Sequence, residues 1–405
     1  MTSLATAQRS LADPVVRHPL WPPLTEGCPV TSTDEVAYPL EIDYAYDRVP
    51  RELFTAPAAP AHGLERWAPL LPPLAAPGLG EGGTPLVRLA DGVYVKDESR
   101  NPTWSHKDRL NRVAVGAAKA SGAQGIVVSS SGNHGASAAA YAARAGLPCA
   151  VFASPYAPPA VASFLRAYGA AVLTVPLEDV RPLMRRMVAE LGYQAVSSLT
   201  DTAHTGHPFG PEGYKTVAYE IFLELGRVPA AVYLPTGYGE LLFGVTKGFT
   251  ELVRLGLADS VPRVHACEPA AAGALAEAMR TGRPATHVPV GPTDAYAIDC
   301  AVGSYRGVVA LRAGGGAALT VTDAQMAAAR DELAAQGLWF ELSAAAGLAG
   351  LRVHGSADVD GPVVCVATSS GFKDIATASR DVTYGPMPGD WETVRTALKA
   401  VGRAG

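Results

Sequence analysis

The sequence predicts an α/β fold: two parallel-sheet, three-layer domains with a ligand cleft between them. Three observations predict it. Short apolar runs alternate with helical segments from about residue 92 onward. The runs are continuously apolar, as expected of strands covered on both faces. Several of the runs end in turns rich in glycine and hydroxyl residues, the place where open parallel sheets bind ligands.

Residues 1–80 are rich in proline and alanine and carry little periodicity. They read as an extended arm lying over the body or a partner subunit. Residues 81–124 together with 214–405 read as a larger domain. Its strands are Val93–Lys96, Ala231–Leu234, Arg263–Glu268, Leu338–Glu341 and Val363–Ala367. Its helices run from Gly213 to Leu225, Leu241 to Leu255 and Asp323 to Gln336, the last capped by Thr322 or Asp323. Residues 125–213 read as a smaller α/β domain with strands Ile126–Ser129, Cys149–Phe152 and Ala171–Val175. Helices Ala136–Ala145, Pro159–Tyr168 and Val180–Leu191 follow those strands in turn.

Composition narrows the function. The 405 residues carry a net charge of -5 and no basic run, which argues against a nucleic-acid surface. No apolar stretch reaches membrane-spanning length. The first residues lack a signal peptide's apolar core, so a cytoplasmic protein is expected. Cys28, Cys149, Cys267, Cys300 and Cys365 are scattered without a CxxC pair, which indicates neither a metal site nor a disulfide framework. Gly78–Gly83 matches GxGxxG but precedes a strand, the reverse of the dinucleotide context.

Three turns carry the chemistry. Asn101–Arg109 holds Lys107 between His106 and Asp108. Burial and neighbouring positive charge would lower that amine's pKa and favour attack on an aldehyde; a plain surface lysine at a helix start is the alternative. Ser130–Gly135 opens a helix whose N–H groups can bind a carboxylate, or is simply capped by Ser131 or Asn133. Thr236–Glu240 has glycines that let N–H groups converge on a phosphate, or is an ordinary turn. Glu240 is out of place there, since a carboxylate repels a phosphate. A fourth turn, Thr368–Asp374, offers a hydroxyl to a pyridine nitrogen, or only caps itself. A Schiff-base lysine, an amide-bearing turn and a phosphate cradle are the parts that hold pyridoxal 5'-phosphate.

These residues resemble fold-type II pyridoxal-phosphate enzymes of the tryptophan synthase β-like superfamily, and threonine synthase above all. Gly83–Leu89 resembles the family's GxTPLxxL opening. Asn101–Arg109 resembles NPTGSFKDR, with Trp104 for glycine and His106 for phenylalanine. Ser131–His134, Glu212–Thr216, Glu341–Ala345 and Thr368–Asp374 are similar to the family's SGNT or SGNH, EGQKT, EPSSA and TGHGLKD segments. Cys28–Tyr44 resembles an N-terminal CPxCGGxLEVxYD segment without its second cysteine, so no zinc is implied.

The resemblance implies Lys107 as Schiff base and proton carrier; His106, which departs from the family's apolar ring beside that lysine, adds an acid or base or is a packing histidine. It implies Asn133 at the ring hydroxyl, Gly237, Tyr238, Gly239, Glu240 and Leu241 around the phosphate, and Thr368 at the ring nitrogen. Ser130, Ser131 and His134 would meet the carboxylate of an amino-acid substrate. The implied activity is elimination or replacement at the β or γ carbon of an amino acid. Ammonia-lyase chemistry on serine, threonine or a diamino acid, or β-replacement, stands beside it. An arginine of the NPxRxEGQKT segment, needed by a substrate phosphate, is absent at His207–Gly213; His204, His207 and Lys215 are candidate replacements. A homodimer is implied as well.

Overall fold

The computed structural model describes residues 2–55, 63–355, 360–378, 385–386 and 388–401. Strand β1 (Ala5–Ser10), β2 (Arg17–Pro19) and β3 (Leu40–Tyr44) form an antiparallel sheet in the order β2-β1-β3. The segment expected to be an extended arm thus contains a sheet. Its short strands and many prolines hid the two-residue alternation from the sequence.

A six-stranded sheet follows. Strands β4 (Leu86–Arg88) and β5 (Tyr94–Asp97) form one edge, antiparallel to each other. After them come β6 (Gly125–Ser129), β7 (Cys149–Phe152), β8 (Ala171–Leu173) and β9 (Tyr193–Ala195), which build a separate four-stranded sheet. Then β10 (Ala231–Pro235), β11 (Arg263–Pro269), β12 (Ala318–Val321) and β13 (Val363–Ala367) return to the first. The orders are β12-β11-β10-β13-β5-β4 and β8-β7-β6-β9, and every pairing except β4–β5 is parallel. Helices join consecutive parallel strands, as a parallel ladder requires.

The continuously apolar runs are the central strands: β10 and β13 are buried at every residue. One core cluster contains Val232 and Leu234 of β10, Ile126 and Val128 of β6, and Leu110 and Val113 of an intervening helix. Both sheets therefore contribute to one core. The expected strand Leu338–Glu341 is absent. Phe340 makes only an isolated bridge to Ser370, and a 3-10 turn follows at Leu342–Ala345. Both edges of β13 are already taken by β10 and β5, so that apolar run has no ladder to join. Strands β4, β9 and β12, three or four residues each, carried too short a pattern to be read.

The N-terminal sheet is fixed electrostatically to the body. Lys247 Nζ bonds Ile42 O at 2.6 Å and Glu212 Oε1 at 2.7 Å, and lies 3.1 Å from Glu41. Tyr44 Oη donates to Glu212 at 3.0 Å. Lys215 Nζ reaches Glu212 at 2.8 Å and Glu251 at 2.9 Å, over the Tyr44 ring at 3.8 Å.

Candidate active site

Lys107 is the first residue of the helix Lys107–Ala120. The turn before it is shaped by Asp108, whose Oδ2 accepts from Thr103 N at 2.6 Å. Its Oδ1 accepts from Thr103 Oγ1 at 2.5 Å and Ser137 Oγ at 2.6 Å. Trp104 completes the turn at φ 64, a left-handed conformation that costs a side-chain-bearing residue about 1–2 kcal/mol. Its ring meets Phe164 at 5.4 Å and Phe372 at 5.9 Å. Behind the helix, Arg109 Nε bonds Glu98 at 2.7 Å and its Nη1 bonds Glu220 at 2.6 Å, all buried. An ion set of this kind fixes the helix in rotation, because removing one member leaves a buried charge unpaired.

The three turns converge on one cleft. One wall is His106, Lys107 and Thr368; the next is Ser130, Ser131, Asn133 and His134; the third is Gly237–Leu241. These lie at the ends of β13, β6 and β10, or at the helix that leads from β5. Two sequence candidates lie elsewhere. His207 is buried with Nε2 2.8 Å from Gln194 and Nδ1 accepting from Phe209 N at 3.1 Å. Lys215 belongs to the Glu212–Glu251 ion set and does not reach the cleft. The sequence showed their charge but not their partners, which are distant along the chain.

Burial lowers the pKa of Lys107, against the opposing pull of Glu240, Cys300 and Glu341. Its amine has no hydrogen-bond partner among the described residues and lies 5.7 Å from the Tyr214 ring centre. His106 stacks on Tyr214 at 5.3 Å, and its Nδ1 lies 3.2 Å from Thr368 O. Burial and then Lys107 hold the His106 ring well below its ordinary range, so it is neutral. The helix at Asn133 is not capped by a side chain. Instead Ser131 Oγ accepts from Ser154 N at 2.7 Å. The Asn133 amide nitrogen donates to Glu341 at 3.0 Å, and its Oδ1 accepts from Ser369 Oγ at 3.2 Å. Burial pushes the Glu341 carboxyl up to about 7.

At the third wall, Gly239 sits at φ +82 and its missing Cβ would meet Gly307 Cα at 3.0 Å. Only glycine fits that turn, which leaves the N-terminus of helix Glu240–Arg254 open to the cleft. The sequence reading missed Arg181, Ser197, Ser198, Tyr296, Cys300 and Glu341, which also line the cleft. Arg181 and Tyr296 carried no local signal, and Glu341, although it opens the EPSSA-like segment, reads in the sequence only as the end of an apolar strand.

These residues suit pyridoxal phosphate. The open helix end can take a phosphate, and Lys107 has a free amine. His134 Nε2 is buried without a hydrogen-bond partner among the described residues. Ser369 and Ser370 hydroxyls are engaged with Trp104 O and Phe372 N, while Thr368 faces the cleft. Residues 78–369 match the model of a family described as pyridoxal-phosphate dependent enzyme. The chain belongs to that family.

Among relatives of this pyridoxal-phosphate enzyme is the threonine synthase of Methanosarcina acetivorans, 34% identical over 333 residues, covering 77% of this chain and 80% of the relative. That of Mycobacterium tuberculosis is 34% identical over 326 residues, covering 76% and 87%. A fungal L-serine ammonia-lyase from Rhizomucor miehei superposes with TM-score 0.62 at 19% identity, over 75% of this chain and 99% of that one. Threonine deaminase isoform 2 from Solanum lycopersicum gives 0.60 at 18%, over 73% and 87%. At those identities the two structures speak to the fold alone.

Proposed function

We propose that this enzyme removes the α-proton of an amino acid and expels a β or γ substituent, with threonine-synthase-type chemistry as the first reading. The single observation that carries it is the convergence of Lys107, Asn133, Thr368 and the open Gly237–Gly239 loop on one cleft. The chemistry the cofactor supplies when bound is an electron sink for the α-carbon. Lys107, uncharged more readily than an exposed lysine, would hold the cofactor and then move the α-proton. Asn133 would orient the ring through its hydroxyl, and the Gly237–Leu241 loop would hold the phosphate. Ser130, Ser131 and His134, at the open end of helix Asn133–Ala145, would hold the substrate carboxylate. Thr368 would meet the ring nitrogen without forcing a proton onto it, since a hydroxyl is neutral. His106, with its main-chain N donating to Thr368 O at 2.9 Å, would fasten the Lys107 turn to the end of β13.

A second reading has its own observation. Among the described residues that line the cleft the one arginine is Arg181, and its Nη1 is already 2.8 Å from Asp201. Neither His207 nor Lys215 faces the cleft, so an uncharged side chain as on serine or threonine suits it too. Incubation of the loaded protein with O-phosphohomoserine, serine and threonine, with products identified by mass spectrometry, separates the two. Threonine and phosphate from the first substrate support threonine synthase; 2-oxo acid from the others supports an ammonia-lyase.

We also read the enzyme as a cytoplasmic homodimer with a domain division near residues 125 and 213. All five cysteines are free, which suits a reducing compartment. The dimer rests on family resemblance, and light scattering of the purified protein tests it.

A further inference from the structure

The phosphate loop carries a carboxylate of its own. Glu240 is the first residue of helix Glu240–Arg254, at the end where an anion is favoured. It is 6% exposed, and its Oε1 has no hydrogen-bond partner among the described residues. Its Oε2 lies 3.4 Å from His204 Nε2, near enough to pair but without hydrogen-bond alignment, so Nε2 too is unpartnered. His204 is 7% exposed and stacks flat on Tyr238 of the loop, 3.8 Å between centres and 7° from parallel. Both His204 and Glu240 line the cleft. Space for the carboxylate is kept by Gly206, at φ +58, where a Cβ would come within 2.0 Å of Glu240 Oε1.

We propose that Glu240 and His204 form a proton-accepting couple beneath the loop, so that a phosphate group entering the loop brings one proton onto His204. This rests on the cofactor reading and goes beyond it. The argument is one of charge. A phosphate ester carries close to two negative charges near neutral pH. Placing it beside Glu240 puts two anions at one helix end. Fixed cations nearby are few. Arg306 is buried, with its Nη groups on Thr205 O and Leu40 O, and its Nε unpartnered. Lys107 faces the couple from the helix Lys107–Ala120.

The other groups around the couple are His106, His134, His207, Tyr238, Cys300 with Asp299, and Glu341. Burial holds His134 and His207 at about 3, and among the described residues only His204 comes within pairing distance of Glu240 while also stacking on the loop's Tyr238. His204 is also lowered by burial, but Glu240 pulls the other way, and a phosphate adds to that pull. Among these groups His204 therefore gains most in proton affinity when the loop fills. Once charged, the imidazolium sits between carboxylate and phosphate and neutralises part of their repulsion.

The test is calorimetric titration of cofactor-free, full-length protein with 4-deoxypyridoxine 5'-phosphate, which lacks the aldehyde and forms no bond to Lys107. Runs in buffers of different ionisation enthalpy give the protons taken up. The expected result is about one proton, with affinity falling about tenfold per pH unit above neutrality. Glu240→Gln and His204→Asn should each bring the uptake near zero, and phosphate-free pyridoxine should show none. Wild-type binding without proton uptake overturns the couple, and so does full uptake in His204→Asn, since the proton would then reside on the phosphate or on the Lys107 amine rather than on His204. Failure of the analogue and of pyridoxal phosphate to bind at all would instead strike the cofactor reading itself. The wild-type result stands even if a variant does not fold.

Discussion

Replacing Lys215 with methionine separates a structural lysine from a substrate-binding one. The side chain is fully buried, and its Nζ bonds Glu212 at 2.8 Å and Glu251 at 2.9 Å. Methionine keeps much of the volume and removes the charge. Glu212 would retain Lys247 at 2.7 Å, while Glu251 would keep only the hydroxyls of Tyr46 at 2.7 Å and Tyr219. Removing one member of a buried ion set costs about 3–5 kcal/mol, most of it from the charge left behind. Burial pushes the Glu212 carboxyl up, and Lys215 and Lys247 outweigh it, so Glu212 titrates below its ordinary range. Without Lys215 that balance weakens. The expected phenotype is a markedly lower urea midpoint in the cofactor-loaded protein, with an unchanged KM for whichever amino acid it turns over. A normal midpoint with a raised KM would refute the placement of Lys215 outside the cleft.

Other outcomes follow from the same geometry. Lys107→Ala should abolish turnover and leave the far-ultraviolet circular dichroism unchanged. Gly206→Ala should lose about 1 kcal/mol for the left-handed backbone alone and more from the 2.0 Å approach to Glu240, read as weaker cofactor affinity in an absorbance titration. Glu341 is protonated in the fold at pH values where the unfolded chain is ionised. Its contribution is therefore present below 4.5 and lost as pH rises through about 7, so Glu341→Gln should gain thermal stability on wild type across that window. His207 behaves oppositely: burial pushes it down to about 3, so it is neutral when folded and its contribution is lost as pH falls from 6.5. His207→Asn should blunt that acid-side loss of the melting midpoint.

Much of the cleft was legible because its chemistry sits in turns whose glycine and hydroxyl content is local. Lys107, Asn133, Gly237 and Thr368 each stand within a few residues of a strand end, and the parallel sheet brings strand ends together. What was illegible depends on direction and distant partners. Lys215 and His207 carry the right groups but point at Glu251 and Gln194. Glu240 stood out as a misplaced carboxylate, yet nothing local named His204 as its neighbour. The N-terminal sheet was hidden because its strands are only three to six residues long and proline-rich stretches separate them.

The segment shared with the family begins at residue 78, but the folding unit does not. Ile42 lends its carbonyl to Lys247, and Tyr44 lends its hydroxyl to Glu212, inside the ion set beneath the helix that bears the phosphate loop. A protein trimmed to the shared segment would open that ion set to water and lose Phe54 and Trp67, whose rings pack on Tyr219 at 5.4 Å and 5.0 Å. Residues 2–44 thus act as a lid on the core. Domain exchange between relatives should therefore move them together with the helix Glu240–Arg254, as one inherited part.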